Sequence, residues 1–156
     1  MSSRPTFRRR VGAAIASLAM LVVLTPNAMA AAVVTRGDFH EFNGYASTIT
    51  GHAQMVRTAD GRTIVSIHVE GLVAGLTYGS HVHAAACGTG LADGHYKFDP
   101  AGAVTPPNEI WPGPFTANDG GIGNADTIAQ GTAGESAVSV VIHGPTGTKI
   151  ACADLE

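Results

Sequence analysis

Thr63-Ile64-Val65-Ser66-Ile67-His68-Val69-Glu70 is the stretch that decides the fold. Thr63, Val65, Ile67 and Val69 alternate with Ile64, Ser66, His68 and Glu70, a period of two. Successive side chains of an extended strand point to opposite faces, so this stretch reads as a half-buried β-strand. Asp60-Gly61 before it is a hairpin signal, and Gly71 ends it. Shorter pieces follow in both directions. Ala32 to Arg36 predicts an opening strand, and Tyr45 to Met55, interrupted by Gly51, one or two strands with a bulge. Ser80 to His83, Ala125 to Gln130, Ser136 to His143 and Thr148 to Ala153 complete the set. No uninterrupted 3.6-residue periodicity survives past residue 30, and no segment repeats another. The whole predicts an all-β chain, a sandwich or barrel of seven or eight short antiparallel strands.

The length of 156 residues favours one domain. Hydrophobic residues make up 45% and charged residues 13%, enough apolar surface for a core and against wholesale disorder. The first thirty residues stand apart. Arg4, Arg8, Arg9 and Arg10 form a basic start, Val11 to Leu24 an uncharged, mostly apolar run, and Ala28-Met29-Ala30 a small-residue cleavage site. This is the layout of a secretory signal peptide, 1–30, ahead of a mature domain, 31–156. The run is shorter than the ~20 residues a membrane-spanning helix needs, so no transmembrane span is expected after cleavage. Secretion or delivery to the periplasm or cell envelope follows.

Removing 1–30 takes four arginines and no acid, so the formal net charge goes from −3 to −7. With no Lys/Arg cluster in the remainder, the chain is a poor partner for nucleic acid or anionic membranes. Cys87 and Cys152 are the two cysteines. Outside the cytosol such a pair forms a disulfide more often than it remains as two buried thiols.

Seven histidines follow residue 30: His40, His52, His68, His81, His83, His95 and His143. His81 and His83 are two apart on a predicted strand, so both imidazoles project from one face. His143 ends another strand on the face of Ser139 and Val141, and His95 follows Asp93-Gly94 in a turn. Four imidazoles suit copper, and by donor type also zinc or nickel. A lone His-x-His is structural or solvated more often than metal-bound. His68 shares a face with Ser66 and Glu70 and reads as an exposed strand residue, and His40 and His52, which have no partner pattern, as surface.

The order of these features resembles the copper/zinc superoxide dismutase family. The stretches that carry it are Gly79-Ser80-His81-Val82-His83, Gly94-His95-Tyr96-Lys97-Phe98-Asp99-Pro100, Val140-Val141-Ile142-His143 and Lys149-Ile150-Ala151-Cys152, within residues 45–153. The resemblance implies a Greek-key β-barrel or sandwich of about eight strands. His81, His83, His95 and His143 match the family's copper ligands, His95 being the one that also bridges to zinc. Cys87 and Cys152 match its disulfide. Lys149 falls where the family places an arginine beside the copper; a surface charge on an edge strand is the other reading of Lys149. The implied activity is disproportionation of superoxide to dioxygen and hydrogen peroxide, with His95 helping to deliver a proton.

Two features depart from the family. Tyr96 to Asn124 contains no histidine, so the family's zinc ligands are missing and a copper-only site is expected, with zinc absent. Another group must then orient His95, and Glu109 in Asn108-Glu109-Ile110-Trp111 is the candidate, with Asp99 and Asp119 behind it. Only Gly144 to Thr148 separates His143 from Lys149, where the family carries a long charged loop. The departures match the family's copper-only branch. They leave three functions to weigh: a copper-only dismutase, a non-enzymatic copper-binding or copper-buffering domain, and a structural sandwich without metal.

Overall fold

The computed structural model describes residues 31–42 and 48–156; the signal-peptide reading of 1–30 lies outside them. Among the described residues nine strands run in the order β1 (Val33–Asp38), β2 (His40–Glu41), β3 (Thr50–Arg57), β4 (Thr63–Glu70), β5 (Thr77–His83), β6 (Phe115–Thr116), β7 (Gly123–Ala129), β8 (Ser139–His143) and β9 (Lys149–Asp154). They form a four-stranded sheet, β1-β3-β4-β7, and a five-stranded sheet, β2-β9-β8-β5-β6, with every pairing antiparallel. The chain crosses between the sheets from β1 to β2, β2 to β3, β4 to β5, β6 to β7 and β7 to β8, so neighbours within a sheet are often not neighbours in sequence, the Greek-key habit. Among the described residues no helix is long and apolar enough to cross a membrane.

β4 occupies the alternating stretch Thr63–Glu70, and its buried face carries Val65, Ile67 and Val69. β3 adds Ala53 and Met55, and the other sheet contributes Tyr78, Val82, Val140, Ile142 and Ile150 to the same core. Burying a large aliphatic side chain contributes about 1.5–3 kcal/mol, so this interleaved set holds the two sheets together. At one edge β1 also reaches the end of the chain: Arg36 and Glu156 exchange backbone N–H···O bonds of 3.0 Å. Gly37 permits that approach, because a Cβ there would lie 1.8 Å from the Asp154 carbonyl oxygen.

Several strand ends differ from the sequence reading. Of the stretch Tyr45 to Met55, residues 45–47 lie outside the described residues; β3 starts at Thr50, and its pairing with β4 runs without a register shift, so Gly51 makes no bulge there. Gly51 instead adopts φ +124°, at a place where a Cβ would meet the His68 carbonyl oxygen at 2.0 Å. β8 starts at Ser139 because the preceding residues turn: Arg57 donates to the carbonyls of Ala133, Gly134 and Ala137. His52 is exposed, as its surface reading has it, but it has a cross-strand neighbour. It stands directly opposite His68, with ring centroids 5.5 Å apart. His68 is itself half-buried, its two ring nitrogens 2.8 Å from Asn124 Oδ1 and 2.9 Å from Glu70 Oε1.

Candidate metal centre

Three of the four predicted ligands stand on the outer face of the five-stranded sheet. On β5, Tyr78, Ser80 and Val82 turn inward, so His81 and His83 project outward together. On β8, Val140 and Ile142 join the core, so His143 shares the outer side with Ser139 and Val141. The antiparallel register sets His81 against Val141 and His143 against Gly79. His95 arrives from the loop 84–114. That loop is stitched to β5 by Tyr96 N–H to Val82 O at 2.8 Å and Val82 N–H to Ile110 O at 3.0 Å. One nitrogen from each of the four rings lies within 4.8 Å of the others.

The hydrogen bonds fix which nitrogens are free. His83 Nδ1 lies 2.8 Å from the Ala92 carbonyl, His95 Nδ1 2.8 Å from Glu109 Oε2 and His143 Nδ1 3.1 Å from the Gly147 carbonyl. Carbonyls and carboxylates only accept, so these three rings donate from Nδ1 and keep a lone pair on Nε2. His81 differs: its Nδ1 is buried with no hydrogen-bond partner among the described residues. The centre thus brings together the Nε2 lone pairs of His83, His95 and His143 beside the His81 ring. An all-nitrogen donor set in this arrangement fits a transition-metal ion.

Electrostatics agree. Burial, reinforced by the neighbouring rings, pushes His81 down to about 3. Burial pushes His83 down to about 4, against its bond to Ala92. His143 is lowered by burial too. Neutral imidazole is the form a metal takes.

The loop is fastened at several points. Leu91, Ala92 and Asp93 run at φ 56°, 58° and 25°, a left-handed stretch uncommon for residues with a Cβ. It aims the carbonyls of Ala92 and Asp93 at His83 Nδ1, and those of Leu91 and Asp93 at Lys149 Nζ, 2.8 and 2.5 Å away. The Cys87–Cys152 disulfide ties the same loop to β9, and Cys87 N–H donates to Asp154 Oδ1 at 2.8 Å. Lys149 lies on the first residue of β9, its ammonium partly desolvated and lowered in pKa for that reason, with Asp93 opposing.

Glu109 is 2% exposed and lies beside His95. Asp99 and Asp119 are elsewhere: Asp99 holds the turn at Ala101, and Asp119 sits in the exposed turn before β7. Trp111 escaped the sequence reading. Its Nε1–H donates to Glu109 Oε2 at 2.7 Å, and its ring lies 4.8 Å from that of His81. It is the only tryptophan of the chain, and no spacing or periodicity marked it.

No family model matches the sequence. No curated protein matches it either. The fold does match solved structures. Variants of superoxide dismutase 5 from Candida albicans align at 19% identity and TM-score 0.57 over 78% of this chain and 90% of theirs, and at 18% identity and TM-score 0.54 over 81% and 92%. The chain therefore shares the β-barrel fold of the copper/zinc superoxide dismutases.

Proposed function

We propose that this chain is an exported copper-dependent superoxide dismutase-like protein with a copper-only site. The observation that carries the reading is the convergence of four imidazole lone pairs, three of them fixed in tautomer by acceptors on Nδ1. His81, His83, His95 and His143 would hold the ion. Copper would supply one-electron exchange, taking an electron from one superoxide to release dioxygen and giving it to a second, which leaves as hydrogen peroxide with two protons. The absence of zinc is supported by the surroundings of His95. Its Nδ1, the atom that would face a second metal, meets the buried carboxylate of Glu109. Export is supported by the basic and apolar leader and by the disulfide.

The residues divide the remaining work. The His95 side chain is 30% exposed, so its Nε2 can take up and hand on a proton while Glu109 keeps Nδ1–H in place. Lys149 spends two ammonium donors on loop carbonyls and keeps a third to attract an anion. Metal content and dismutation measured on one copper-reconstituted sample of the mature chain test the reading. One copper per chain with activity abolished by His83→Ala or His143→Ala supports it; activity indifferent to both ends it.

A second reading is a copper-binding or copper-buffering protein on the same fold. It is favoured by the engagement of Lys149 with Leu91 and Asp93 and by the five-residue connection 144–148. With a net charge of −7 after cleavage, long-range attraction of an anion is weak. The same sample then binds copper tightly and dismutates at the rate of buffer.

A further inference from the structure

We infer that Trp111 is a positioning residue of this centre, one indole setting the orientation of two ligands from different segments. The inference rests on the metal-centre reading above and adds a residue to it. Trp111 Nε1–H and His95 Nδ1–H converge on one carboxylate oxygen, Glu109 Oε2, at 2.7 and 2.8 Å. The other oxygen, Oε1, is buried and has no hydrogen-bond partner among the described residues. The carboxylate is thus held by two donors on a single atom, in a place where water does not supply others. A buried carboxylate that loses one of two donors becomes costly and reorients. An indole is donor-only. It can hold Glu109 without ever taking the His95 proton for itself, which a lysine or a histidine there could do.

The same ring supports His81. None of the hydrogen bonds found among the described residues engages the His81 ring, and its buried Nδ1 is unpartnered. The ring is fixed by packing instead, between His95 at 4.1 Å, His143 at 4.6 Å and Trp111 at 4.8 Å between centroids. Two of those neighbours are themselves ligands, so Trp111 is the outer wall. Trp111 therefore acts on His95 through Glu109 and on His81 through contact.

The test is a double-mutant cycle on the mature chain, with copper affinity read by competition against a chromophoric chelator. Trp111→Phe keeps the ring and removes the N–H. It is expected to retain one copper per chain and weaken affinity about tenfold, the lower end for loss of a ligand's supporting bond. In a Glu109→Ala background the same change is expected to cost little further, because the N–H acts through that carboxylate and Phe keeps a ring against His81. An equal loss in both backgrounds, or an unchanged affinity for Trp111→Phe in the wild-type background, overturns the proposal while leaving the metal centre standing. Wild-type protein that takes up no copper overturns both. A measurement on unmutated side chains guards against misfolding of the variant. In the metal-free protein the indole N–H proton resonance is expected far downfield and protected from exchange. A freely exchanging indole N–H overturns the proposal.

Discussion

His83 Nε2 and His143 Nε2 lie 3.4 Å apart in the interior, each ring with its proton already committed at Nδ1. Two lone pairs facing at that distance repel, and burial removes the water that would screen them. Folding thus stores an unfavourable contact that a cation relieves. His143→Gln is expected to leave the metal-free midpoint of thermal unfolding at or above that of wild type. The copper-induced rise is expected to vanish, since at a ligand concentration of 100 Kd binding contributes about 2.7 kcal/mol. Calorimetry with and without copper checks both. A metal-free variant much less stable than wild type would show that the contact is not strained.

The lowered pKa values of His81 and His83 set a pH dependence with a definite sign. Unfolded, each ring takes a proton near 6.5; folded, His81 waits until about 3 and His83 until about 4. Between those limits the unfolded chain binds more protons, so the metal-free protein loses stability as pH falls from 6.5 toward 4. Copper meets no proton on either ring above that range. Protonation of these two rings then adds little to any loss of affinity between about pH 7 and about pH 5, so the affinity is expected to fall less steeply than at a site of four ordinary histidines. Competition titrations across that interval decide it.

Glu109 is expected to matter for the metal without touching it. Glu109→Ala removes the acceptor that fixes His95 in its Nδ1–H form, and copper affinity is expected to fall about 10–100-fold. Glu109→Gln keeps an acceptor oxygen but loses the charge, so it is expected to fall between. Equal affinities across the three proteins would remove Glu109 from the site.

How much of this was legible beforehand follows from where each contact lives. β4 was readable because its residues alternate along one continuous stretch. His81, His83 and His143 were readable for the same reason, since a strand's period fixes which side chains share a face. β2 and β6 have two residues each, too few to show any period, and exist only because β9 and β5 offer edges to pair with. The pairing of His52 with His68 was invisible because it is set by cross-strand register, which no local pattern encodes. Trp111 meets Glu109 and His81 through the path of an irregular loop, so composition alone carried no sign of it. Glu109 could be named only by asking what a metal-bound His95 would need.

The disulfide links that loop to the strand that carries Lys149. It spans 65 residues of chain, so its loss from the unfolded-state constraint is expected to cost roughly 4 kcal/mol. Its second effect is local. Cys87 and Cys152 lie buried against Phe42, Ala92 and Val141, and the Ala92 carbonyl holds His83. A Cys87→Ser, Cys152→Ser double variant is expected to bind copper more weakly even at temperatures where it remains folded. Copper affinity equal to wild type at 10 °C, with only the unfolding midpoint lowered, would confine the bridge to stability.

Lys149 separates catalysis from storage. Its Nζ is held at 2.8 Å from the Leu91 carbonyl and 2.5 Å from that of Asp93, beside the carbonyls that orient His83. Lys149→Met removes the charge and the clamp, and Lys149→Arg keeps the charge on a forked, planar head. If the remaining ammonium donor draws superoxide, turnover is expected to fall about tenfold in Lys149→Met, recover in Lys149→Arg, and decline with added salt in the two charged proteins alone. If the lysine only fastens the loop, Lys149→Met is expected to change copper affinity while all three proteins share one turnover rate at every salt concentration. Stopped-flow decay of superoxide at two ionic strengths, run beside the chelator competition, assigns the residue to one role.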